Sequence, residues 1–317
     1  MKGKLTSALL VHSFVLSTAL PLQAGEIRFT KEVLAFSPES TRSSIPSFEI
    51  VPFRLVRATA DSRSRDVFQR NPITQPVWNK QFTAEETEED LIFVSGPFEF
   101  WINKTTGSEI LLNLDRYAHA DEQEDQIADE VLRRKAVEYV SVQFPDIDPK
   151  QLRFSKIRRQ MDAVGVIDSE TQAMSAVRER VANHIAIFER VIGQIPVIGP
   201  GEKLRVYFSS GGEVIGHSRI WRRVGSRTLT RAVVSAEEIR RRFIEAHTTE
   251  LEPDIEVDRI YFGYFADGRY TRQRSLAPVY IVGYTYGPHS KRVLEVFDAY
   301  TGRLVSPTAD EEGSQVK

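Results

Sequence analysis

The chain has 317 residues, a formal net charge of −2 and no cysteine. Because no disulfide can form, apolar cores alone must hold the fold, and at about 100–200 residues per domain the length allows one to three of them. The near-neutral charge does not provide the strongly basic surface that binding to a phosphate backbone requires, so we expect no nucleic acid partner.

The first 24 residues are predicted to be a secretory signal peptide. Lys2 and Lys4 precede a mostly apolar run from Leu5 to Leu20, and the small residue Ala24 follows. The run is shorter than the roughly 20 apolar residues of a membrane-spanning helix. We therefore expect cleavage near Ala24 and a secreted or periplasmic protein whose mature chain has no membrane span. Removal of the two lysines leaves 40 basic residues against 44 acidic ones, a net charge of −4.

Residues 25–180 are predicted to form an N-terminal α+β region without a firm assignment. Its first part, up to about Thr83, has the pattern of extended segments, and prolines within it favour sheet edges and loops. From Leu91 onward, predicted strands lead through the acidic connector AHADEQEDQ to a helix from about Ile127 to Phe144, and QLRFSKI follows as a strand. One face of the helix carries an apolar residue at every fourth position: Leu132, Ala136, Val140 and Phe144.

Residues 181–233 are predicted to form a β module. Apolar residues alternate along HIAIFERVIGQIPVIGPGEKLRVYFSSGGEVIG, and glycines separate the alternating runs, which indicates antiparallel strands. Leu204, Val206 and Phe208 fall on one strand face, and the turn at residues 209–212 begins the return strand.

Residues 234–307 are predicted to be a helix followed by strands, and residues 308–317 a disordered tail. Ser235 and Glu238 form a capping box at the start of the helix, which runs to about His247. A helix laid across a small antiparallel sheet is the economical way to bury both. The predicted fold class is therefore α+β, with tandem small modules that each consist of an antiparallel sheet and one packed helix.

The stretch EVFDAYTGRLV is predicted to be a hairpin with a structural turn rather than a piece of an active site. Asp298 can accept hydrogen bonds from amides two or three residues further on, and Gly302 can adopt the left-handed conformation that closes the turn. Asn103 and Gly107 repeat the same offset of four residues in FWINKTTGSEILLN.

The unit from SAEEIRRRFIEAH to EVFDAYTGRLV resembles a PepSY domain, whose signature is a helix and strands that end in an Asp-Ala-x-Thr-Gly hairpin. The match is carried by Asp298, Ala299, Thr301 and Gly302. The stretch before it, with Gly193-Gln194-Ile195-Pro196-Val197, is similar to the propeptide module of thermolysin-type metalloproteases. In such precursors a catalytic domain with a His-Glu-x-x-His helix follows, whereas no histidine of this chain precedes a glutamate. The resemblance, from about Val181 to Pro307, thus implies a free-standing relative of an inhibitory or chaperoning propeptide.

No catalytic, cofactor-binding or metal-binding residue is predicted. Gly216-His217-Ser218-Arg219-Ile220 lacks the final glycine of a serine hydrolase motif, and neighbouring strand residues point to opposite faces, so His217 and Ser218 are not expected to pair. The stretch is predicted to be a polar strand edge instead. The glycine pair in IGPGEKL precedes a strand, whereas a phosphate loop precedes a helix, so it is predicted to be a turn. The acidic groups EETEED and DEQED lack the spacing of a calcium loop and are predicted to be solvated connectors.

Two arginine groups are candidate binding surfaces. Arg222 and Arg223 follow Trp221, and residues 240–242 are three consecutive arginines on the capped helix. Arginine grips carboxylates through two parallel hydrogen bonds, so these groups can dock an acidic partner or an anionic polymer; simple solvation is the alternative. Tyr280, Tyr284 and Tyr286 alternate on one strand face, where packing is favoured over a binding role.

The predicted function is that of an exported, non-enzymatic protein that binds another protein, such as a secreted protease or an envelope protein. Small mixed domains with free strand edges can bind an extended peptide by adding a strand. The alternatives are an enzyme of unrecognised hydrolytic chemistry and a ligand-free envelope scaffold. A deep pocket with several ionisable groups would favour the enzyme, and an open sheet edge beside an apolar groove would favour the binding protein.

Overall fold

The computed structural model describes residues 27–29, 34–36, 44–79, 81–117, 127–167, 174–248, 254–287 and 290–308. The predicted signal peptide, the acidic connector with its DEQED group, and the tail from residue 309 lie outside the described residues. No helix within these ranges is long and apolar enough to cross a membrane.

The described ranges contain three α-helices and eighteen β-strands. The helices are α1 (Arg57–Arg70), α2 (Asp129–Gln143) and α3 (Ala236–His247). The strands before α2 are β1 (Ile27–Phe29), β2 (Leu34–Phe36), β3 (Ser44–Ile50), β4 (Thr83–Glu86), β5 (Asp90–Ser95), β6 (Phe98–Asn103) and β7 (Glu109–Asn113). Between α2 and α3 lie β8 (Leu152–Ile167), β9 (Met174–Ile192), β10 (Ile195–Ile198), β11 (Lys203–Ser209), β12 (Val214–Arg219) and β13 (Val224–Ala232). The strands after α3 are β14 (Ile255–Phe265), β15 (Ser275–Leu276), β16 (Pro278–Tyr286), β17 (Arg292–Asp298) and β18 (Leu304–Thr308).

Fifteen of these strands form a single mixed sheet. Twelve of them follow the order β18-β17-β16-β14-β10-β9-β11-β12-β7-β6-β5-β4, while β1 and β2 pair with β14, and β8 pairs with β9. The other three form a small sheet in the order β13-β3-β15. The prediction of tandem small modules, each an antiparallel sheet with one packed helix, is therefore wrong, because the chain is mostly β and its strands share one large sheet.

Two strand pairings explain why the modules do not stay separate. The short strand β10 pairs antiparallel with β9 and parallel with β14, with Val197 opposite Tyr264. Strand β12 pairs antiparallel with β7, with Gly216 opposite Leu112. Each pairing satisfies N–H and C=O groups that an isolated module would leave open at its edge. Backbone hydrogen bonds therefore cross the domain boundaries that the sequence predicts near residues 180 and 233. The division into domains itself stays a prediction.

Helix α1 shows that a second prediction is wrong, namely that the chain up to about Thr83 consists of extended segments. The helix buries Ala60, Ser64, Val67 and Phe68, which are spaced as one helical face, and it packs on β5, β6 and β7. Apart from two alanines, only two of its fourteen residues, Val67 and Phe68, are apolar or aromatic, so its periodicity is hidden among polar residues. Burial of Phe68 against aromatic side chains stabilises a helix that sequence periodicity alone does not reveal.

The two predicted helices are confirmed. The apolar face of α2 packs on β9 and β11, where Leu204, Val206 and Phe208 share the predicted strand face and are fully buried. Helix α3 buries Ile239 and Phe243 against β14 and β16, and each large side chain buried in this way contributes roughly 1.5–3 kcal/mol. The Ser235 hydroxyl accepts a hydrogen bond from the Glu238 N–H at 3.1 Å, which caps the helix as predicted.

The turns after β6 and β17 have the same hydrogen-bonding pattern. The Asp298 carboxylate accepts bonds from the N–H groups of Tyr300 and Thr301 and from the Thr301 hydroxyl, at 3.1, 2.7 and 2.8 Å. The Asn103 side-chain oxygen accepts equivalent bonds from Thr105 and Thr106 at 2.9–3.0 Å. Gly302 and Gly107 close the two turns with φ values of 66° and 70°. These contacts support the structural interpretation of EVFDAYTGRLV.

Asp298→Ala is expected to lower the free energy of unfolding by about 1 kcal/mol, since bonds within the turn are lost. Gly302→Val is expected to cost at least as much, because a β-branched residue is disfavoured in the left-handed region. Chemical denaturation measures both, with Asp115→Ala on the exposed surface as the control. A parent-like stability combined with selective loss of a function would identify the turn as a functional site instead.

Candidate functional site

An arginine-lined cleft of about 640 Å³ lies at the end of the small sheet. It is bounded by the chain that leaves β3, by the link between β12 and β13, by the loop before β15, and by the turn after β6. Six arginines line it: Arg54, Arg219, Arg222, Arg223, Arg272 and Arg274. Two glutamates are the only acidic residues in the lining, which leaves the cleft with an excess of positive charge.

Four of the six arginines have no acidic partner among the described residues. Arg219 pairs with Asp146, and Arg222 pairs with Glu202. The other four are exposed and form no ion pair within the part of the chain that the structure describes: Arg54, Arg223, Arg272 and Arg274. Of the two glutamates, Glu109 is held by the Arg63 guanidinium through two bonds of 2.8 Å, so it is not available to neutralise the cleft.

Behind the cleft, Glu202 binds two arginines in the protein interior. Its side chain is 0% exposed and pairs with Arg190 at 2.8 Å and with Arg222 at 3.4 Å. The backbone N–H of Arg222 also donates to the carboxylate at 3.0 Å. Burial raises the pKa of Glu202 above its usual value, and the charges and hydrogen bonds of the two arginines offset part of this increase. Glu202 has a φ of 52°, an uncommon conformation for a residue with a side chain, which indicates that the surrounding contacts impose it.

Arg222 also binds the loop that carries two of the cleft arginines, Arg272 and Arg274. Its Nη2 donates to the carbonyl oxygens of Asp267, Gly268 and Thr271 at 2.8, 2.7 and 3.3 Å. The Gln273 side chain closes the same loop, because it accepts from the N–H of Asp267 and donates to the carbonyl of Phe265. The position of residues 272 and 274 thus depends on a buried ion pair.

Gly199 and Gly201 allow the backbone to approach this loop closely. Gly201 donates to the carbonyl of Ala266 at 3.0 Å, and a Cβ at Gly201 would lie 2.1 Å from the carbonyl oxygen of Asp267. A Cβ at Gly199 would lie 2.6 Å from the carbonyl oxygen of Ala266. IGPGEKL is therefore a turn, as predicted, and its glycines bring two loops together.

The chain that leaves β3 forms one wall of the cleft. The N–H groups of Ile50 and Val51 donate to the carbonyls of Arg274 and Arg223, both at 2.9 Å, so one arginine lies on either side of this chain. Phe53 then covers the turn after β6, since a Cβ at Gly107 would lie 2.6 Å from its ring. This explains why the turn contributes to the cleft.

His217 and Ser218 do not form a catalytic pair. The Nδ1 of the buried His217 is hydrogen-bonded to the Tyr139 hydroxyl at 2.8 Å, and Asn71 donates to the same hydroxyl oxygen at 2.7 Å. Burial lowers the pKa of His217 to about 3, with smaller contributions from the charges of Arg63 and Arg219. The imidazole therefore stays neutral and joins α1, α2 and β12. The interpretation of this stretch as a polar strand edge is wrong, because β12 pairs with both β7 and β11 and buries His217 and Ser218.

The other predicted surfaces are used within the fold. Arg241 and Arg242 bind Glu238 on α3, and Arg242 also donates to the carbonyl of Thr301 at 2.7 Å. Tyr280 and Tyr284 are almost fully buried, and their hydroxyls bind Val234 and Glu295, which confirms packing.

The acidic group EETEED is only partly a solvated connector. Its last residue, Asp90, is 4% exposed and bound by Asn103 and Arg269, so the prediction is wrong at that position. Among the described residues, no group of three histidines or carboxylates is arranged to hold a metal ion.

The sequence indicated only part of the cleft. It singled out Arg222 and Arg223, of which the first is a buried structural residue and the second lines the cleft with a free side chain. It missed Arg54, Arg272 and Arg274. The string RYTRQR at residues 269–274 was the available signal, because three arginines in six residues outside a helix are not explained by a solvated helical face.

No protein-family model matches this chain, and no curated protein matches its sequence. The fold resembles that of a solved structure. An uncharacterized protein from Eubacterium rectale ATCC 33656 superimposes with a TM-score of 0.52 at 12% identity, over 89% of this chain and 91% of that chain. The Bacillus megaterium YpeB C-terminal domain gives a TM-score of 0.38 at 11% identity, over 80% of this chain and 97% of that chain. The first similarity shows the fold alone, and the second carries no further argument.

Proposed function

We propose that this chain is an exported, non-enzymatic protein that binds another protein through the arginine-lined cleft. The observation that carries the proposal is the group of four exposed arginines around one cavity, none of which has an acidic partner in the part of the chain that the structure describes. Guanidinium groups held close together repel one another, so a ligand that brings carboxylates or other anions gains both Coulomb energy and bidentate hydrogen bonds. Most arginines elsewhere on α1 and α3 already have such partners within the chain.

The side chains of the cleft suit binding better than hydrolysis. A deep pocket with ionisable groups was the feature expected to favour an enzyme, and this cleft is such a pocket. Its ionisable groups are mainly guanidiniums, which keep their protons up to a pH of about 12 and so do not act as general acids or bases near neutrality. Of the two glutamates, Glu109 is held by Arg63. Glu49 is a single exposed carboxylate, and the described lining contains no histidine, serine or cysteine that could pair with it. We therefore favour a protein that holds its ligand without converting it.

A PepSY-like assignment for residues 234–307 is part of the proposal. It is supported by the capped helix α3 packed on β14, β16 and β17, and by the Asp-Ala-x-Thr-Gly turn after β17 with its hydrogen bonds to Asp298. Because that resemblance implies an inhibitory or chaperoning propeptide, a secreted thermolysin-type metalloprotease is the first partner to test. Envelope proteins are the second.

Affinity capture from the envelope fraction of the exporting cell tests the proposal. The unmodified chain is compared with the cleft variant Arg272→Gln/Arg274→Gln and with the control variant Arg227→Gln/Arg231→Gln, whose exposed arginines lie on β13 outside the cleft. We expect the unmodified chain and the control variant to retain the same protein. The cleft variant should bind this protein about tenfold more weakly. Equal retention by all three would contradict the cleft as the docking site, and hydrolysis of a substrate panel by the purified chain would contradict a non-enzymatic role.

A further inference from the structure

On the basis of the proposed function, we infer that the ligand of the cleft is an extended, acidic polypeptide segment that lies beside residues 51–55. The cleft combines two features that only a polypeptide uses together. One is a set of free guanidinium groups, and the other is a stretch of backbone whose hydrogen-bonding groups are open.

The open backbone follows directly after the small sheet. Strand β3 is the central strand of that sheet, paired with β13 on one side and with β15 on the other. Its last bonds on each side are made by Ile50 to Arg274 and by Val51 to Arg223. Beyond them, no hydrogen bond to the backbone N–H groups of residues 53–55 is formed within the described ranges. A peptide laid alongside can pair with these groups, as in strand addition.

The arginines lie where the side chains of such a peptide would reach. Arg223 and Arg274 flank the start of the open stretch, Arg54 lies within it, and Arg272 is two residues before Arg274. All six cations in the lining are arginines and none is a lysine. The planar guanidinium binds a carboxylate through two parallel bonds, so this composition favours several separate Asp or Glu side chains.

The volume of the cleft and its apolar residues further restrict the class of ligand that it can bind. A volume of about 640 Å³ is within the range of sites that enclose a ligand of several groups, and is far more than a single small anion fills. Phe53 is 40% exposed at the rim. Trp221 lies within the cleft, with the Arg190 guanidinium stacked on its ring at 4.8 Å. We therefore expect apolar residues to alternate with the acidic ones in the bound segment.

A sulfated or phosphorylated polymer is the competing ligand. It satisfies the guanidinium groups, but it has no regular series of N–H and C=O groups to pair with residues 53–55. The open backbone therefore favours a polypeptide, and the experiment separates the two classes by their dependence on peptide N–H groups.

The test is fluorescence anisotropy with a labelled peptide of about ten residues in which glutamate alternates with leucine. A second peptide has the same sequence with N-methyl groups on alternate backbone nitrogens. Inorganic polyphosphate and heparin are the polyanion probes. Each is titrated with the full mature chain, with the cleft variant Arg272→Gln/Arg274→Gln, with Arg272→Lys/Arg274→Lys, and with the control Arg227→Gln/Arg231→Gln.

We expect the unmodified chain and the control variant to bind the alternating peptide with equal affinity. The cleft variant should bind it roughly tenfold or more weakly, and the lysine variant should also bind more weakly, because charge without the planar fork is insufficient. N-methylation should weaken binding by a similar factor, and added salt should weaken it further.

Three outcomes would overturn the inference. Equal peptide binding by the cleft variant would show that the peptide lies elsewhere. Polyanions that bind more tightly than both peptides, with no effect of N-methylation, would assign the cleft to an anionic polymer. A third outcome is that no acidic peptide binds, although retention of a captured protein still requires Arg272 and Arg274. The cleft would then remain the docking site, and the assignment of an acidic peptide as its ligand would be wrong.

Discussion

Glu202→Gln is expected to lower the free energy of unfolding by about 3 kcal/mol, because it removes the charge that compensates two buried arginines. Glutamine has nearly the same shape as glutamate, so the packing around residue 202 is retained. Arg190 and Arg222 are only 7% and 4% exposed, which means that water cannot replace the lost carboxylate. Their remaining partners are the Gln151 side chain and backbone carbonyls, which are neutral.

The same substitution is expected to weaken ligand binding at the cleft. Arg222 holds the carbonyls of Asp267, Gly268 and Thr271 only while its own position is maintained by Glu202. Greater freedom of this loop spreads the guanidiniums of residues 272 and 274 over more conformations and raises the entropy that a ligand must remove. Amide hydrogen exchange over residues 266–274 should therefore become faster in the variant.

Chemical denaturation measures the change in stability, and Glu189→Gln is the matched control. Glu189 pairs with Arg153, whose side chain is 52% exposed, and an exposed pair of this kind contributes about 0–1 kcal/mol. A stability loss at Glu202 that is no larger than the loss at Glu189 would show that the buried ion pair does not stabilise the fold. It would also remove the physical basis for an ordered cleft.

The sequence predicted the elements whose determinants are local. The Ser235 cap, the four-residue spacing on α2 and the alternation of Leu204, Val206 and Phe208 each act within a few positions of the chain. The turn at Asp298 is likewise closed by residues up to five positions further on. Since the same local contacts form in the folded protein, these predictions are confirmed.

The large sheet could not be predicted in the same way, because its decisive contacts are distant in sequence. Val197 pairs with Tyr264, and Gly216 pairs with Leu112. Hydrophobic periodicity identifies a strand and its buried face, but it does not identify the neighbour. Each short group of strands therefore looked like a complete module, although its edge strands continue into the next group.

The cleft was difficult to predict for a related reason. Its arginines come from three separate segments, and Arg54 is more than two hundred residues away from Arg272 and Arg274. The role of Glu202 was hidden as well, since a glutamate after a glycine-rich turn usually lies at the surface. Burial with two arginines is a property of the assembled structure, which explains why the sequence pointed to Arg222 and Arg223 but not to the site that they help to form.

Acidification is expected to destabilise the protein through His217, by about 2 kcal/mol between pH 7 and pH 5. In the folded state the pKa of His217 is lowered to about 3 because the imidazole is buried. In the unfolded chain it titrates near its ordinary value of 6.5. As the pH falls below 6.5, the unfolded state therefore takes up a proton that the folded state does not accept. The stability contribution is fully present above that pH and decreases progressively toward pH 3.

His217→Gln separates this effect from other titrating groups. The glutamine side chain can accept the hydrogen bond from Tyr139 but does not titrate, so the pH dependence of its unfolding free energy should be flatter than that of the parent by about 2 kcal/mol over the same interval. Carboxylates with a lowered pKa contribute to the pH dependence of stability only at lower pH. For example, the pKa of Glu238 is lowered to about 2 by its bonds to Arg241 and Arg242. Denaturant titrations at several pH values from 7 to 5 give both curves. Parallel curves for the parent and the variant would show that His217 takes up its proton at the same pH in the folded and unfolded states, and that a buried neutral imidazole does not describe the junction of α1, α2 and β12.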